Sequence, residues 1–202
     1  TYDEKVGTLS SISTPGIQNW SYTFNAIGNL TSRHNLSKNL HETFEYDYCH
    51  RLTRVYKNGS EAQRITYNAD GRIASKSDVG SYVYDDAGRL SEIKDRKYEL
   101  RDWNKITYNS LSKISYAQNG NAEMTITYGP DGNRIMSTLA GESKYYIGNL
   151  FEHYQKNGNR QDINYIFVQD KAIAMVKQTS TDETTTNYLH HDHLGSIQAY
   201  SD

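Results

Sequence analysis

Disulfide chemistry, helix-rich packing and membrane spans are each disfavoured by what this chain lacks. A single cysteine, Cys49, excludes an internal disulfide, and no neighbouring residues give it a metal-ligand spacing. Only two prolines punctuate 202 residues. The longest apolar runs, Tyr165 to Val168 and Ala172 to Val176, fall far short of the roughly 18 residues that a membrane-spanning helix needs. Net charge is −2 with Lys and Arg scattered singly, which leaves no basic stripe for nucleic acid or for an anionic membrane. No catalytic signature stands out. Gly195-Ser196 is not part of a G-x-S-x-G elbow, and no sequence feature pairs a nucleophile with a base.

Tyrosine is what the chain has instead, 18 of them against 4 phenylalanines, together with abundant threonine. Both residue types suit a pleated, half-buried surface, so an all-β, antiparallel fold is expected. A repeat gives the order of the strands. YTFNAIGNL, FEYDYCHRL, ITYNADGRI, YVYDDAGRL, ITYNSLSKI and ITYGPDGNRI begin at residues 22, 44, 65, 82, 106 and 126. Residues two apart point to one face of a strand, so each copy buries its two apolar positions, and in five of the six it turns a Thr or Glu to the other side.

The D-x-x-G step that follows suits a type I turn closed by a left-handed residue as a bulge. Its first residue caps backbone amides and its glycine supplies the positive φ. The turn-defining residues are Asn25 and Gly28, Asp47, Asn68 and Gly71, Asp85 and Gly88, Asn109, Asp131 and Gly132, and Asp192 and Gly195. His50 and Ser112 stand where glycine is expected. This register predicts the apolar cross-strand pairs Phe24–Leu30, Tyr46–Leu52, Tyr67–Ile73, Tyr84–Leu90 and Tyr108–Ile114. One extra turn residue in the sixth copy predicts Tyr128–Ile135. Asn58-Gly59, Asn119-Gly120 and Asn157-Gly158 predict primed two-residue turns at the opposite rim, and the tract 178–187 reads as a loop. The result is a long antiparallel meander: a hairpin array over residues 1–140, with strands continuing the same sheet and domain over 141–202.

The segments YDDAGRL, YNADGRI, FNAIGNL and YGPDGNRI resemble the YD repeats of the Rhs family. That family includes polymorphic toxins, cell-wall-associated repeat proteins, the cocoon-forming component of insecticidal toxin complexes, and the teneurins. From Tyr145 onward, YYIGNLFEHY, NYIFVQDKAIAMV and YLHHDHLGSIQAYSD are similar to the run leading into the Rhs-associated core. The resemblance implies a secreted or cell-surface protein whose curved sheet spirals into a hollow shell. Its partners would be the rest of that shell and an enclosed C-terminal toxin domain. The autoproteolytic aspartates of the family are expected beyond residue 202, so no enzyme activity is carried over. The other reading is a cell-surface module binding carbohydrate or protein. Exposed sheet edges favour self-association of the fragment.

HHDH, residues 190–193, looks like a metal cluster. The repeat register makes Asp192 to Gly195 another D-x-x-G turn, with His191 at the aromatic position, His190 on the opposite face and His193 inside the turn. Three imidazoles placed so do not converge as ligands must, and neither a metal nor another cofactor is expected. Aromatic rings among polar neighbours suit sugars, so Trp20, Trp103, His191 and His193 are the candidate ligand contacts.

Overall fold

A computed structural model describes residues 1–4, 6–95, 103–156 and 158–202; the side chains of Trp103, Asn104 and Asn119 lie outside the description. Among the described residues every regular element is a strand, and all of them form antiparallel meanders. The first sheet runs β1 (Ser11–Thr14), β2 (Gln18–Phe24), β3 (Leu30–Asn35), β4 (Leu40–Tyr46), β5 (Leu52–Lys57), β6 (Ser60–Tyr67), β7 (Ile73–Lys76), β8 (Gly80–Tyr84) and β9 (Leu90–Lys94). The second runs β10 (Trp103–Tyr108), β11 (Ile114–Asn119), β12 (Ala122–Tyr128), β13 (Arg134–Leu139), β14 (Glu142–Ile147), β15 (Phe151–Lys156), β16 (Asn159–Val168), β17 (Lys171–Thr179), β18 (Thr184–His191) and β19 (Ile197–Ser201). Two compact units result. One gathers residues 1–81, 95 and 190–199, the other residues 82–94, 103–189 and 200–202.

The D-x-x-G turns close with one geometry. In the fourth copy the amide of Asp85 donates to Arg89 O at 2.8 Å and that of Gly88 to Asp85 O at 2.8 Å. A register shift just before the closing pair marks the bulge, and Phe24 faces Leu30, Tyr46 faces Leu52, Tyr67 faces Ile73 and Tyr108 faces Ile114. His50 and Ser112 take the left-handed conformation at φ 61° and 56°, so both turns close without glycine. A related turn with one more loop residue lies at the start, where Tyr2 bridges Leu9 and the Gly7 amide donates to Asp3 O at 2.9 Å.

Three expectations change. The sixth copy has no extra turn residue: the Gly129 amide donates to Asn133 O, and Tyr128 pairs with Arg134, leaving Ile135 44% exposed. Gly129 fills the place that Asp or Asn holds elsewhere, so moving the partner one residue on to the apolar Ile135 displaced the register by one. At the second Asn-Gly site Asn119 pairs with Ala122, which makes Gly120 and Asn121 the loop. The polar tract 178–187 is mostly strand, with Gln178 opposite Thr184 and Lys177 opposite Thr185. Threonine favours strands even where it buries little. Asn58-Gly59 forms a two-residue loop between paired Lys57 and Ser60, whereas Asn157 lies outside the described residues.

A second interaction binds four of the hairpins to the one before. The tyrosine hydroxyl of one copy donates to the carbonyl of the preceding copy's closing residue: Tyr46 to Leu30 at 2.8 Å and Tyr67 to Leu52 at 2.7 Å in the first unit, Tyr108 to Leu90 at 2.6 Å and Tyr128 to Ile114 at 2.8 Å in the second. The same rings accept the preceding basic residue on their faces, Arg51 over Tyr67 at 4.3 Å, Arg89 over Tyr108 at 4.6 Å and Lys113 over Tyr128 at 5.4 Å. Burial pushes the Tyr46, Tyr67 and Tyr108 hydroxyls above their usual value, so they remain donors over an extended pH range. On the opposite face hydroxyls pair across strands, Thr23 with Ser32 at 2.7 Å and Thr66 with Ser75 at 2.6 Å.

Tyr108→Phe keeps the ring over Arg89 and deletes only the bond to Leu90. A loss of about 1 kcal/mol is expected, read as a lower urea midpoint with unchanged slope. An unaltered midpoint would remove the hydroxyl from any part in binding neighbouring hairpins.

Candidate functional site

The D-x-x-G turns use a side-chain clamp. In five of them the first loop residue aims one oxygen at two amides: Asp85 Oδ1 accepts from Ala87 at 3.0 Å and Arg89 at 2.8 Å, and Asn25, Asp47, Asn109 and Asp192 do the same. Where the clamp is a carboxylate followed by arginine, an ion pair completes it, Arg51 with Asp47 at 2.7 Å and Arg89 with Asp85 at 2.8 Å. The Arg51 side-chain bond is the main cause holding Asp47 below the usual carboxylate range; for Asp85 it is the Arg89 amide, followed by the guanidinium. In the N-A-D-G and G-P-D-G loops the task shifts two residues on. Asp70 Oδ1 accepts from the Arg72 amide at 3.0 Å, and Asp131 Oδ1 from the Asn133 amide at 2.9 Å. Asp70 was legible only as a loop residue; its role depends on the acid sitting directly before the glycine.

The HHDH segment builds the most buried of these turns. Asn187, Leu189 and His191 alternate as buried residues along β18, with exposed Tyr188 and half-buried His190 between them. His191 is 8% exposed and Asp192 7%. Asp192 Oδ1 takes the Leu194 and Ser196 amides, both at 2.9 Å, and its Oδ2 takes Gln198 Nε2 at 2.9 Å. Within the first unit the hairpin's His193 ring packs on β2, 4.7 Å from Tyr22 and 6.3 Å from Phe24 between centroids. His191 and His193 thus follow separate packing directions. Among the described residues no three His, Cys, Asp or Glu side chains gather as a metal set.

Of the candidate ligand contacts, Trp20 and His191 are core residues. Trp20 is 5% exposed, stacked at 6.3 Å on Tyr22 and covered by Arg33 at 5.6 Å. Its ring offers no open face to a sugar. The side chain of Trp103 lies outside the described residues. One cluster was not foreseen from sequence: β15 and β16 bring His153 Nδ1 to 2.6 Å from Asp162 Oδ1, with Arg160 Nε at 3.2 Å from Asp162 Oδ2 and the Tyr145 ring 5.9 Å from the imidazole. The four residues come from three strands, so only the cross-strand register could have joined them.

Burial holds the His193 imidazole below its ordinary value of 6.5; Asp192 pulls it upward and Arg33 pushes it further down. The folded form therefore takes up its proton later than the unfolded chain does. Stability from His193 is complete above pH 6.5 and falls as pH drops from there through the depressed value. Urea midpoints measured between pH 7.5 and 5 are expected to fall more steeply for the native chain than for His193→Phe. Equal slopes would contradict a neutral, docked imidazole.

No protein-family model matches the chain, and no curated protein matches it. Solved structures do. A chain described as "Crystal Structure of TcdB2-TccC3-TEV" superposes on 98% of this chain with a TM-score of 0.62 at 12% identity. A chain described as "Crystal Structure of TcdB2-TccC3-Cdc42" aligns with 92% at a TM-score of 0.42 and 16% identity. The present chain spans 14% of the first and 10% of the second. The first similarity establishes a shared fold.

Proposed function

We propose that this chain is a wall segment of an Rhs-type YD-repeat shell, and that it acts without turnover by enclosing a partner polypeptide, a toxin or effector domain of the same secreted assembly. The observation that carries this reading is the hairpin-to-hairpin bond. In four copies the tyrosine is spent on the preceding carbonyl and, in three of these, on the preceding cation, so the repeat motif binds hairpin to hairpin. Catalysis needs the opposite, polar groups held in reach of a substrate; here the carboxylates of the repeat are occupied by loop amides and arginines. The fold similarity supports the same reading, because this fold recurs as 14% of a much longer chain.

The test is made on the natural polypeptide that carries these residues. Limited proteolysis should leave a non-repeat segment intact inside a resistant particle, and mild denaturant should open that segment to cleavage at the rate of the isolated domain. Cleavage at that rate in native buffer would overturn enclosure. Saturable binding of this chain to one class of glycan on an array, lost on changing exposed Tyr188, would replace enclosure by cell-surface recognition.

A further inference from the structure

The register of the sixth copy leaves one arginine outside the repeat's own charge pairing. In the second and fourth copies the arginine after the turn is matched to its own loop aspartate. In the sixth, Asp131 is used instead by the Asn133 amide at 2.9 Å and by Asn133 Nδ2 at 2.8 Å. Arg134 stands one place later, opposite Tyr128, where the other copies place Leu30, Leu52, Ile73 and Ile114. Among the described residues no carboxylate pairs with it, and its guanidinium lies 5.1 Å over the Tyr146 ring.

A cavity of about 560 Å³ opens at this point, lined by Asn133, Arg134, Tyr146, Gly148, Asn149 and Glu152. Glu152, its one acid, is paired with Lys144 Nζ at 2.7 Å. What the cavity offers to a ligand is an uncommitted guanidinium braced on an aromatic ring, with two carboxamides beside it. A planar guanidinium matches a planar carboxylate through two parallel bonds, and the amides can serve groups flanking the carboxylate. The Tyr146 ring already carries Arg134 and, at 5.8 Å, Lys144 Nζ, so it is poorly placed to stack on a sugar.

We propose that this cavity binds the carboxylate of an aspartate or glutamate side chain from a polypeptide, with Arg134 as its anchor and Asn133 and Asn149 as flanking contacts. The site belongs to the second unit alone, so it stands whether or not the chain encloses its partner.

The experiment titrates the 202-residue chain with the capped peptide Ac-Gly-Glu-Gly-NH2 while following the Arg134 Nε resonance and the side-chain amide resonances of Asn149 by NMR. A saturable shift of both residues is expected. The Asn149 shift, which every variant can report, should vanish in Arg134→Leu, which restores the residue type the other copies carry and so preserves the fold, and the affinity it reads should weaken about tenfold in Arg134→Lys, which loses the fork. Ac-Gly-Gln-Gly-NH2 should leave the resonances unmoved. The proposal is overturned if no saturable shift occurs, if the glutamine peptide binds equally, if binding survives Arg134→Leu, or if methyl glucuronide acid binds and the glutamate peptide does not.

Discussion

Replacing Arg33 with alanine is expected to lower the stability of the first unit by about 3 kcal/mol, because it strands a buried carboxylate. Glu42 on β4 is 4% exposed, and Arg33 on β3 meets its Oε2 through Nε at 2.5 Å. The guanidinium also covers two rings, Trp20 at 5.6 Å and Phe44 at 5.9 Å. Lys57 Nζ lies 3.9 Å from Glu42 Oε1 and keeps part of the charge compensated, which places the expected loss at the lower end of the range for broken buried pairs. Arg33→Met separates the two contributions, since it retains apolar cover over the rings and removes only the charge. If the stranded carboxylate dominates, Arg33→Met falls close to Arg33→Ala, and adding Glu42→Gln recovers most of the loss in a double-mutant cycle. Urea unfolding followed by tryptophan fluorescence reads the native chain, both Arg33 variants, Glu42→Gln and the double. An Arg33→Ala midpoint within error of the native chain would show that the Arg33–Glu42 pair adds nothing to the stability of the first unit.

Arg33 also marks where the sequence stops being informative. Turn chemistry is local: an Asp or Asn, two residues and a glycine fix a loop, and the period of two around it fixes which side chains face each other. Phe24–Leu30 and Tyr108–Ile114 could therefore be paired from the string alone, and the all-β meander with them. The bond from Tyr108 to Leu90 could not, because it joins residues 18 apart on two strands and depends on how one hairpin lies against the next. The Arg33–Glu42 pair is of the same kind. The sixth copy failed for a different reason. Gly-Pro-Asp-Gly keeps the usual loop length, but it puts Arg134 at the closing position with apolar Ile135 beside it, and an apolar partner was expected there; the bond from Gly129 to Asn133 gives the place to Arg134. That one-residue difference converts Arg134 from an expected turn residue into the anchor of a cavity. His193 on Tyr22 was beyond any local pattern, since its partners lie at the other end of the chain.

Asp192→Ala should cost about 2 to 3 kcal/mol, the second-largest loss among these substitutions. The carboxylate is 7% exposed and accepts three bonds, two from loop amides and one from Gln198. Bonds to a charged, buried acceptor are worth more than neutral ones, and alanine cannot close the loop around the left-handed Gly195 at φ 84°. Asp192→Asn is the informative companion. Asn25 and Asn109 show that an amide oxygen accepts the same pair of loop amides, so asparagine should restore the turn and lose about 1 kcal/mol through its missing charge. A loosened turn releases His193 from Tyr22 and Phe24, so Asp192→Ala should also flatten the acid dependence of stability, whereas Asp192→Asn should retain it because the imidazole stays docked. If alanine and asparagine prove equally harmful, the charge rather than the clamp holds the hairpin; if both are silent, the HHDH turn is not part of the folded core of the first unit.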